Sequence, residues 1–407
     1  MKSLLFLCHR LPLPPNKGDK IRAYHILHAL TQRFRVQVGT FVDAKEDWQY
    51  VATLRSMVAE LKVRPLPKLR ATLRSSIGLL SGEPLSLPYY RDAELARWVS
   101  ETLQRGNVDY AYVYSSAMGQ YIKKGQVGCA LMDFCDLDSD KWLQFSQTRN
   151  WPMSWIYRRE ARKLAQVERT LASQYDRSLF VTDAETRSFC ANAVELEGNA
   201  VTLRNGVDTD YFNPELSLPV VAVQQPSVVF TGAMDYWANA DAVSWFVSEV
   251  WPAVLERFPT ARFWIVGSRP TESVKRLAGA PGVVVTGSVP DVRPYLASAT
   301  AVVVPLRIAR GVQNKLLEAL SMGRPIVATP AAVVGLDGQY PASLSCAASA
   351  GAFATAVVDI FQQARDERHG LVGRDFVLRN YSWAAALQPL WNLLDSGVAQ
   401  SAIASRA

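Results

Sequence analysis

From Ser3 to Cys346 short runs of β-branched and aromatic residues alternate with helical patterns almost without a break. The first half offers "SLLFLC", "RVQVGTFV", "ELKVRPL", "VDYAYVY", "CALMDF" and "RSLFVT". The second offers "SVVFTG", "ARFWIVG", "GVVVTG", "TAVVVPL", "RPIVAT" and "ASLSCA". Amphipathic stretches such as "DKIRAYHILHALTQ" and "SWIYRREARKLAQVERTLASQY" lie between them. A strand that is apolar on both faces must be covered on both, and the intervening helices supply the covers. The pattern therefore predicts α/β architecture with parallel sheets. A chain of 407 residues exceeds one ordinary core, so two domains are expected. The proline-rich "NPELSLPVVAVQQPS" (Asn213 to Ser227) separates halves that are each long enough to be doubly wound. Ligands of open parallel sheets sit beyond the carboxyl ends of the strands. Two such domains facing each other would hold the active site in the cleft between them.

Charge narrows the partners. A net charge of +7 favours acidic ones: phosphorylated small molecules, an anionic membrane face or nucleic acid. No nucleic-acid-binding module is recognisable, which removes the last. "RPLPKLRATLRSSIGLLSGEPLSLPYYR" (Arg64 to Arg91) mixes cations with apolar and aromatic residues, as a segment lying on an anionic membrane surface would. The apolar run at the N-terminus is short and broken by His9 and Arg10, so it reads as a first buried strand rather than a leader. No stretch reaches the roughly 18 apolar residues of a membrane span. A cytoplasmic protein, peripheral at most on the inner face of the membrane, is expected. The five scattered cysteines form no CxxC and read as buried thiols in a reducing compartment. His25 and His28 stand three apart on one predicted helix without further ligands, so no metal site is expected.

Five loops after strands carry candidate chemistry. In "HRLPLPPNKGDKIRAYHILHAL", Gly18 opens a helix whose first-turn N–H groups favour an anion, and Lys17, Lys20 and Arg22 add positive charge there. "MDFCDLDSDKW" crowds Asp133, Asp136, Asp138 and Asp140 at a strand end. It lacks the glycine and closing glutamate of a calcium loop, and Asp138 or Ser139 can cap the next helix. Asp136 is the first functional candidate of this group, with Asp138 beside it. In "VTLRNGVDTDYFNP", Asn205 and Gly206 signal a turn and Asp208 a cap; in "FTGAMDYWANADAVSWF", Gly232 lets a ligand approach a strand end, before a helix expected from Asn239 or Asp241.

The last loop is the densest. After "VVVPL" the chain turns at Gly311 and enters the helix "VQNKLLEALSM", which stops at Gly323. Its amino end, with Gln313 and Asn314, presents N–H groups, while Arg307, Arg310 and Lys315 add cations suited to a diphosphate. Glu318 follows about one turn later. A carboxylate there can accept two hydrogen bonds from the vicinal hydroxyls of a ribose. The alternative is a Lys315–Glu318 pair on a solvated face.

The order "RNGVD…F", "VVFTGAMDY…N", "FWIVGS", "VTGSVPDVRPYLASATAVVVPL" and "GVQNKLLEALSMGRPIVAT" resembles the retaining glycosyltransferases of GT-B fold, family 4-like. "LPPNKGDKIRAYHILHAL", "YSSAMGQY" and "DFCDLDSDKW" are most similar to the bacterial sugar transferases associated with exopolysaccharide and PEP-CTERM/exosortase loci. The resemblance extends through "YSWAAALQPLWNLL". It implies two Rossmann-like doubly wound domains, 1–205 and 206–382, with a crossing helix at 383–400 completing the first. It implies a UDP- or GDP-sugar donor held mainly by the second domain, a saccharide or lipid-linked saccharide acceptor on the first, and no cofactor. Glu318 matches the second glutamate of the family's E-x7-E motif, the ribose-holding one. The first falls on Arg310, and the arginine and lysine that usually follow the strand-end glycine are missing after Gly232. Arg307, Arg310, Lys315 and Lys17 are then the groups left to cover the diphosphate. Two alternatives keep the architecture: a nucleotide-sugar epimerase, and a non-catalytic nucleotide-binding scaffold.

Overall fold

The computed structural model describes residues 1–106, 108–147, 150–219, 221, 225–309, 311–336, 338–363 and 367–395. It divides into two compact units. One comprises Met1–Arg204 with the chain from Leu387 onward, the other Asn205–Ala386.

Unit 1 is built on seven strands: β1 (Ser3–Cys8), β2 (Arg35–Val42), β3 (Glu60–Pro65), β4 (Tyr110–Tyr114), β5 (Cys129–Cys135), β6 (Arg177–Phe180) and β7 (Ala200–Thr202). They form one parallel sheet in the order β3-β2-β1-β4-β5-β6-β7, with Phe6 opposite Val38 on one side and Tyr112 on the other. Every residue of β1 is buried, because it has strands on both sides and helices over both faces. Alternation sends Leu5 and Leu7 into one core with Val113 and Met132, while Phe6 on the opposite face stacks on Tyr112 with centroids 5.4 Å apart. The chain from Leu387 returns to this unit: Tyr110 donates to the Leu394 carbonyl at 3.4 Å, and the Arg33 guanidinium lies 4.2 Å from the Trp391 ring.

Unit 2 repeats the plan with β8 (Ser227–Thr231), β9 (Arg262–Val266), β10 (Val283–Gly287), β11 (Ala301–Val304), β12 (Ile326–Ala328) and β13 (Leu344–Cys346). The order is β10-β9-β8-β11-β12-β13, again all parallel. In both sheets the chain builds outward from its first strand, then resumes on that strand's other side. The reversal points are β1/β4 and β8/β11, where loops leave in opposite directions and open a crevice.

Several elements differ from the sequence reading. The proline-rich stretch at 213–227 lies inside unit 2, because the chain is already tied there: Val207 N–H donates to the Tyr381 carbonyl at 2.7 Å, and Ser321 to that of Phe212 at 2.6 Å. The helix expected from Asn239 or Asp241 begins earlier, at Trp237, since Asn239 turns inward instead of capping. Cys346 is exposed, as it ends a three-residue strand at the edge of its sheet.

Two cations expected to meet an anion are built into the scaffold of unit 1. Lys20 is buried and donates to Asp47 at 2.6 Å. Arg22 is wholly buried, bonds both oxygens of Asp133 at 3.0 and 3.2 Å, and donates to the Leu203 carbonyl at 2.7 Å. A guanidinium removed from water needs such a complete set of acceptors.

Candidate functional site

At the β8/β11 reversal of unit 2 the strand ends leave no room for side chains. A Cβ on Gly267 would stand 1.7 Å from the Gly232 carbonyl oxygen. One on Gly232 would stand 2.8 Å from the Asn239 amide nitrogen and 3.2 Å from Lys315 Nζ. At Gly267 this approach to main chain requires glycine, whereas a side chain at Gly232 would have to displace Asn239 and Lys315. The two glycines form part of the wall of a cavity of about 410 Å³. Phe212, Val289 and Val292 give its lining apolar groups, Ser268 and Ser288 hydroxyls, and Asn314, Lys315 and Glu318 an amide and two charges. A larger hollow of about 860 Å³ lies by Thr300, Pro325 and Ser343, the residues that lead into β11, β12 and β13. That is the amino edge of the sheet, so the smaller cavity has the better claim as a ligand site.

The helix Asn314–Ser321 delivers the charged groups. Gly311 takes a left-handed φ of 58° and turns the chain; Gln313 is the extended N-cap without a side-chain cap, and its carbonyl takes the Leu316 and Leu317 N–H groups, which leaves those of Asn314 and Lys315 without an acceptor among the described residues. Lys315 and Glu318 share a face one turn apart, while Leu316, Leu317, Ala319 and Leu320 are buried. Lys315 Nζ does not turn to solvent. It donates to Asn239 Oδ1 at 2.6 Å and lies 4.1 Å from the centre of the Phe230 ring. Asn239 is itself fixed by donating to the Ala233 carbonyl at 2.9 Å.

Burial pulls the Lys315 ammonium down to about 7, with the nearby Glu318 opposing the shift. Burial likewise pushes the Glu318 carboxyl up to about 7, against the pull of Lys315. Among the described residues Glu318 has no hydrogen-bond donor. The pair is thus a poorly solvated cation and acid, both titrating near neutrality, beside an open helix N-terminus. Such a site accepts an anion by taking up a proton, and its carboxyl is available to a hydroxyl-bearing ligand.

The structure thus brings Gly232, Asn314, Lys315 and Glu318 around one cavity, with Gly311 and Gln313 at its approach. Arg307 lies on a different path. Its guanidinium is bidentate on Asp241, with Nε 2.9 Å from Oδ2. Arg310 falls outside the described residues. Asn205 begins unit 2 in an irregular stretch, the turn falling later at Thr209–Tyr211; Gly206 is pressed against Trp383, its hypothetical Cβ 2.7 Å from the Trp383 backbone.

Unit 1 has its own strand-end cluster at the β1/β4 reversal. His9 leaves β1 with its ring stacked on Tyr114 and edge-on to Tyr90. Its Nε2 lies 3.6 Å from Asp19, which also takes Arg10 at 2.9 Å; Arg10 reaches Asp43 at 3.1 Å. Against the cost of burial, His9 and Arg10 hold the Asp19 carboxyl below its ordinary range. His9 Nδ1 is buried without a hydrogen-bond partner among the described residues. Ser115 and Cys135, at the ends of β4 and β5, have positive φ angles of 79° and 63°. Non-glycine residues held in such sparsely populated conformations cluster at functional sites.

The four aspartates disperse. Asp133 is consumed by Arg22, and Asp140 accepts from Ser188 at 2.8 Å. Asp136 is exposed and pairs with Lys141 at 3.1 Å. Asp138 opens its helix and accepts from Ser116 at 3.3 Å; burial raises its carboxyl, against Lys141 and His9. Lys17 and Gly18 sit exposed at the helix start with open space around the glycine.

Sequence reasoning missed His9 and Asn239. In the sequence His9 reads only as an interruption of an apolar run, although it is the first residue beyond a strand end. Asn239, a lone amide in the apolar "YWANADAVSWF", is the signal for the lysine it orients.

Comparison with known proteins adds two findings. Residues 225–363 match the family model described as "Glycosyl transferases group 1". No curated protein matches the sequence. Among solved structures, Alr3699/HepE of Anabaena in complex with UDP and glucose aligns with a TM-score of 0.62 at 14% identity, over 97% of this chain and 100% of its own. Sucrose-phosphate synthase from Thermosynechococcus elongatus gives 0.63 at 15% identity, over 98% and 100%. WaaG, a glycosyltransferase involved in lipopolysaccharide biosynthesis, gives 0.59 at 14% identity, over 94% and 98%. At such identities the likeness shows the fold: two parallel-sheet Rossmann-like units of GT-B type.

Proposed function

We propose that this chain is a glycosyltransferase that moves a sugar from a nucleoside-diphosphate sugar onto a saccharide. The observation that carries the reading is the placement of Lys315 and Glu318 one turn apart at the unit 2 cavity, inside the segment matched by the transferase family model. In this reading the open helix end and Lys315 hold the diphosphate, Glu318 takes the ribose hydroxyls, and the apolar wall of Phe212, Val289 and Val292 faces the base. UDP is the first donor to test, because relatives of the same fold have been crystallised with UDP and UDP-glucose.

Departure of the diphosphate is the main barrier, and a cation aimed at the leaving oxygen lowers it. The proposed course is retaining. The acceptor oxygen bonds to the anomeric carbon on the face that the phosphate leaves. The C–O bond to phosphate breaks with its electron pair going to phosphate, and the hydroxyl proton passes to that departing oxygen. No protein nucleophile is required, and no metal or cofactor enters the scheme. Unit 1 is assigned the acceptor, with Asp136, Asp138 and His9 as hydroxyl partners and Lys17 as a further phosphate contact. The acceptor proposed is a saccharide or lipid-linked saccharide of exopolysaccharide or cell-surface assembly, handled on the cytoplasmic side of the membrane.

The test is turnover of UDP-sugars, with and without saccharide acceptors, by the wild type and by Lys315→Ala and Glu318→Ala. Loss of transfer in both variants is expected. Unchanged binding and turnover in both would remove the site assignment. Isomerised donor without acceptor would make the chain an epimerase. Nucleotide binding with no turnover under any acceptor would leave a scaffold, the reading that Arg310 in place of the family's glutamate favours.

A further inference from the structure

The α-helical outskirts of unit 1 carry large apolar side chains that the core does not use. On the helix Lys68–Ser81, Leu69 and Leu73 stand one turn apart, 83% and 69% exposed, while Ala71 faces inward. The turn between the helices Asp138–Gln147 and Met153–Gln174 carries Trp151, 81% exposed, and Trp155 follows on the next turn, 55% exposed. These two sites flank one short segment. Ser75 of the first helix donates to the Leu85 carbonyl at 2.6 Å, and the Leu85 N–H donates to Glu160 of the last helix at 2.6 Å.

The charge around them is predominantly of one sign, and Glu83, in the segment they flank, is paired with Arg91 at 2.9 Å. From Leu61 to Gly82 the sequence contains no acidic residue, and Lys68 and Arg70 are exposed without an acidic partner among the described residues. Near the tryptophans Arg158 and Arg162 are exposed, and the only carboxylate from Lys141 to Lys163 is Glu160, buried and spent on Leu85. Leucines and indoles set among unpaired cations match an anionic bilayer surface. The cations meet phosphates, indoles sit at headgroup depth, and leucines enter the acyl boundary. No helix among the described residues is long and apolar enough to cross a membrane, so the contact is of the lying-on type.

We infer that Leu69, Leu73, Trp151 and Trp155, with Lys68, Arg70, Arg158 and Arg162, form a face by which unit 1 docks on an anionic lipid bilayer. The inference does not depend on the proposed transfer reaction. It is tested with the full chain and vesicles of phosphatidylcholine with or without phosphatidylglycerol. Cosedimentation is expected only with phosphatidylglycerol present and to fall at raised salt. Leu69→Ser/Leu73→Ser and Trp151→Ser/Trp155→Ser should each lower partitioning roughly tenfold while keeping the wild-type melting temperature. Brominated lipid should quench the wild-type tryptophans, which reports insertion without any variant. Absence of phosphatidylglycerol-dependent binding, or equal binding by both double variants, would overturn the inference. So would concentration-dependent self-association in lipid-free buffer that the tryptophan variant abolishes, since the occupant would then be a second copy of the chain.

Discussion

The two units share a topology and use it differently at their reversal points. At β1/β4 the crevice of unit 1 is crowded with charge, and most of that charge is already paired: Arg10 with Asp19 and Asp43, Lys20 with Asp47, Arg22 with Asp133. At β8/β11 unit 2 offers a backbone wall, one half-buried lysine held only by the neutral Asn239, and one half-buried glutamate without a hydrogen-bond donor among the described residues. Paired charge is rigid and insensitive to a ligand, whereas unpaired, desolvated charge changes state when a ligand arrives. The count of cations at a strand end is therefore a poor guide to anion binding; what matters is how many remain uncommitted.

The sharpest way to break the contrast is to uncommit a charge in unit 1. Arg22→Met leaves Asp133 buried without its cation and should cost about 3–5 kcal/mol, read as a large drop in denaturant midpoint. Nucleotide affinity of the surviving folded protein should not move. Next in size, Lys315→Ala should lower transfer by about 10²–10³, the usual effect of removing one group that stabilises developing charge. Asn239→Ala should reproduce about a tenfold part of that loss, since it leaves the ammonium in place but unaimed. Rescue by Asn239→Asp would mark the side chain as positioning rather than merely structural.

A smaller, pH-dependent effect follows from the titration of the pair. Lys315 falls from near 10.5 to about 7 on folding, so stability from this group rises as pH climbs from 7 towards 10.5. Glu318 rises from near 4.5 to about 7, so stability from it falls as pH climbs from 4.5 to 7. Their sum is a dip near neutrality. The melting temperature of the wild type minus that of Lys315→Met/Glu318→Gln, followed across pH, should show it. Calorimetry of UDP binding at pH 8 in buffers of different ionisation enthalpy should report proton uptake, because phosphate restores the lysine's charge. Smallest of all, Asp136→Asn should change stability by less than about 1 kcal/mol, as expected of an exposed pair. Compared with Asp138→Asn in a transfer assay, it separates the two aspartates as acceptor contacts.

Strands buried on both faces were legible in the sequence, since "SLLFLC" and "TAVVVPL" admit little else. The edge strand β7 was not, because its three half-buried residues carry no continuous apolar run. Glu318 and Lys315 were legible through their spacing on an otherwise apolar helix. The tasks of Lys20 and Arg22 were hidden for a physical reason: charge is written in the sequence, but its burial depends on Asp47 and Asp133, at 27 and 111 residues' remove. The tie of Lys315 to Asn239 spans 76 residues and was equally out of local view.

The meeting of Gly232 with Gly267 also limits how this site can change over time. Where Gly267 presses on the Gly232 main chain no side chain fits at Gly267, whereas one at Gly232 would have to displace Asn239 and Lys315, so that patch of wall offers a ligand little variety. Discrimination between bases or sugars must then be written on the remaining sides, by Phe212, Ser268, Ser288, Val289 and the 314–318 turn. A library confined to those positions samples most of the donor preferences open to the cavity; one that includes Gly267 spends its diversity on chains that cannot close.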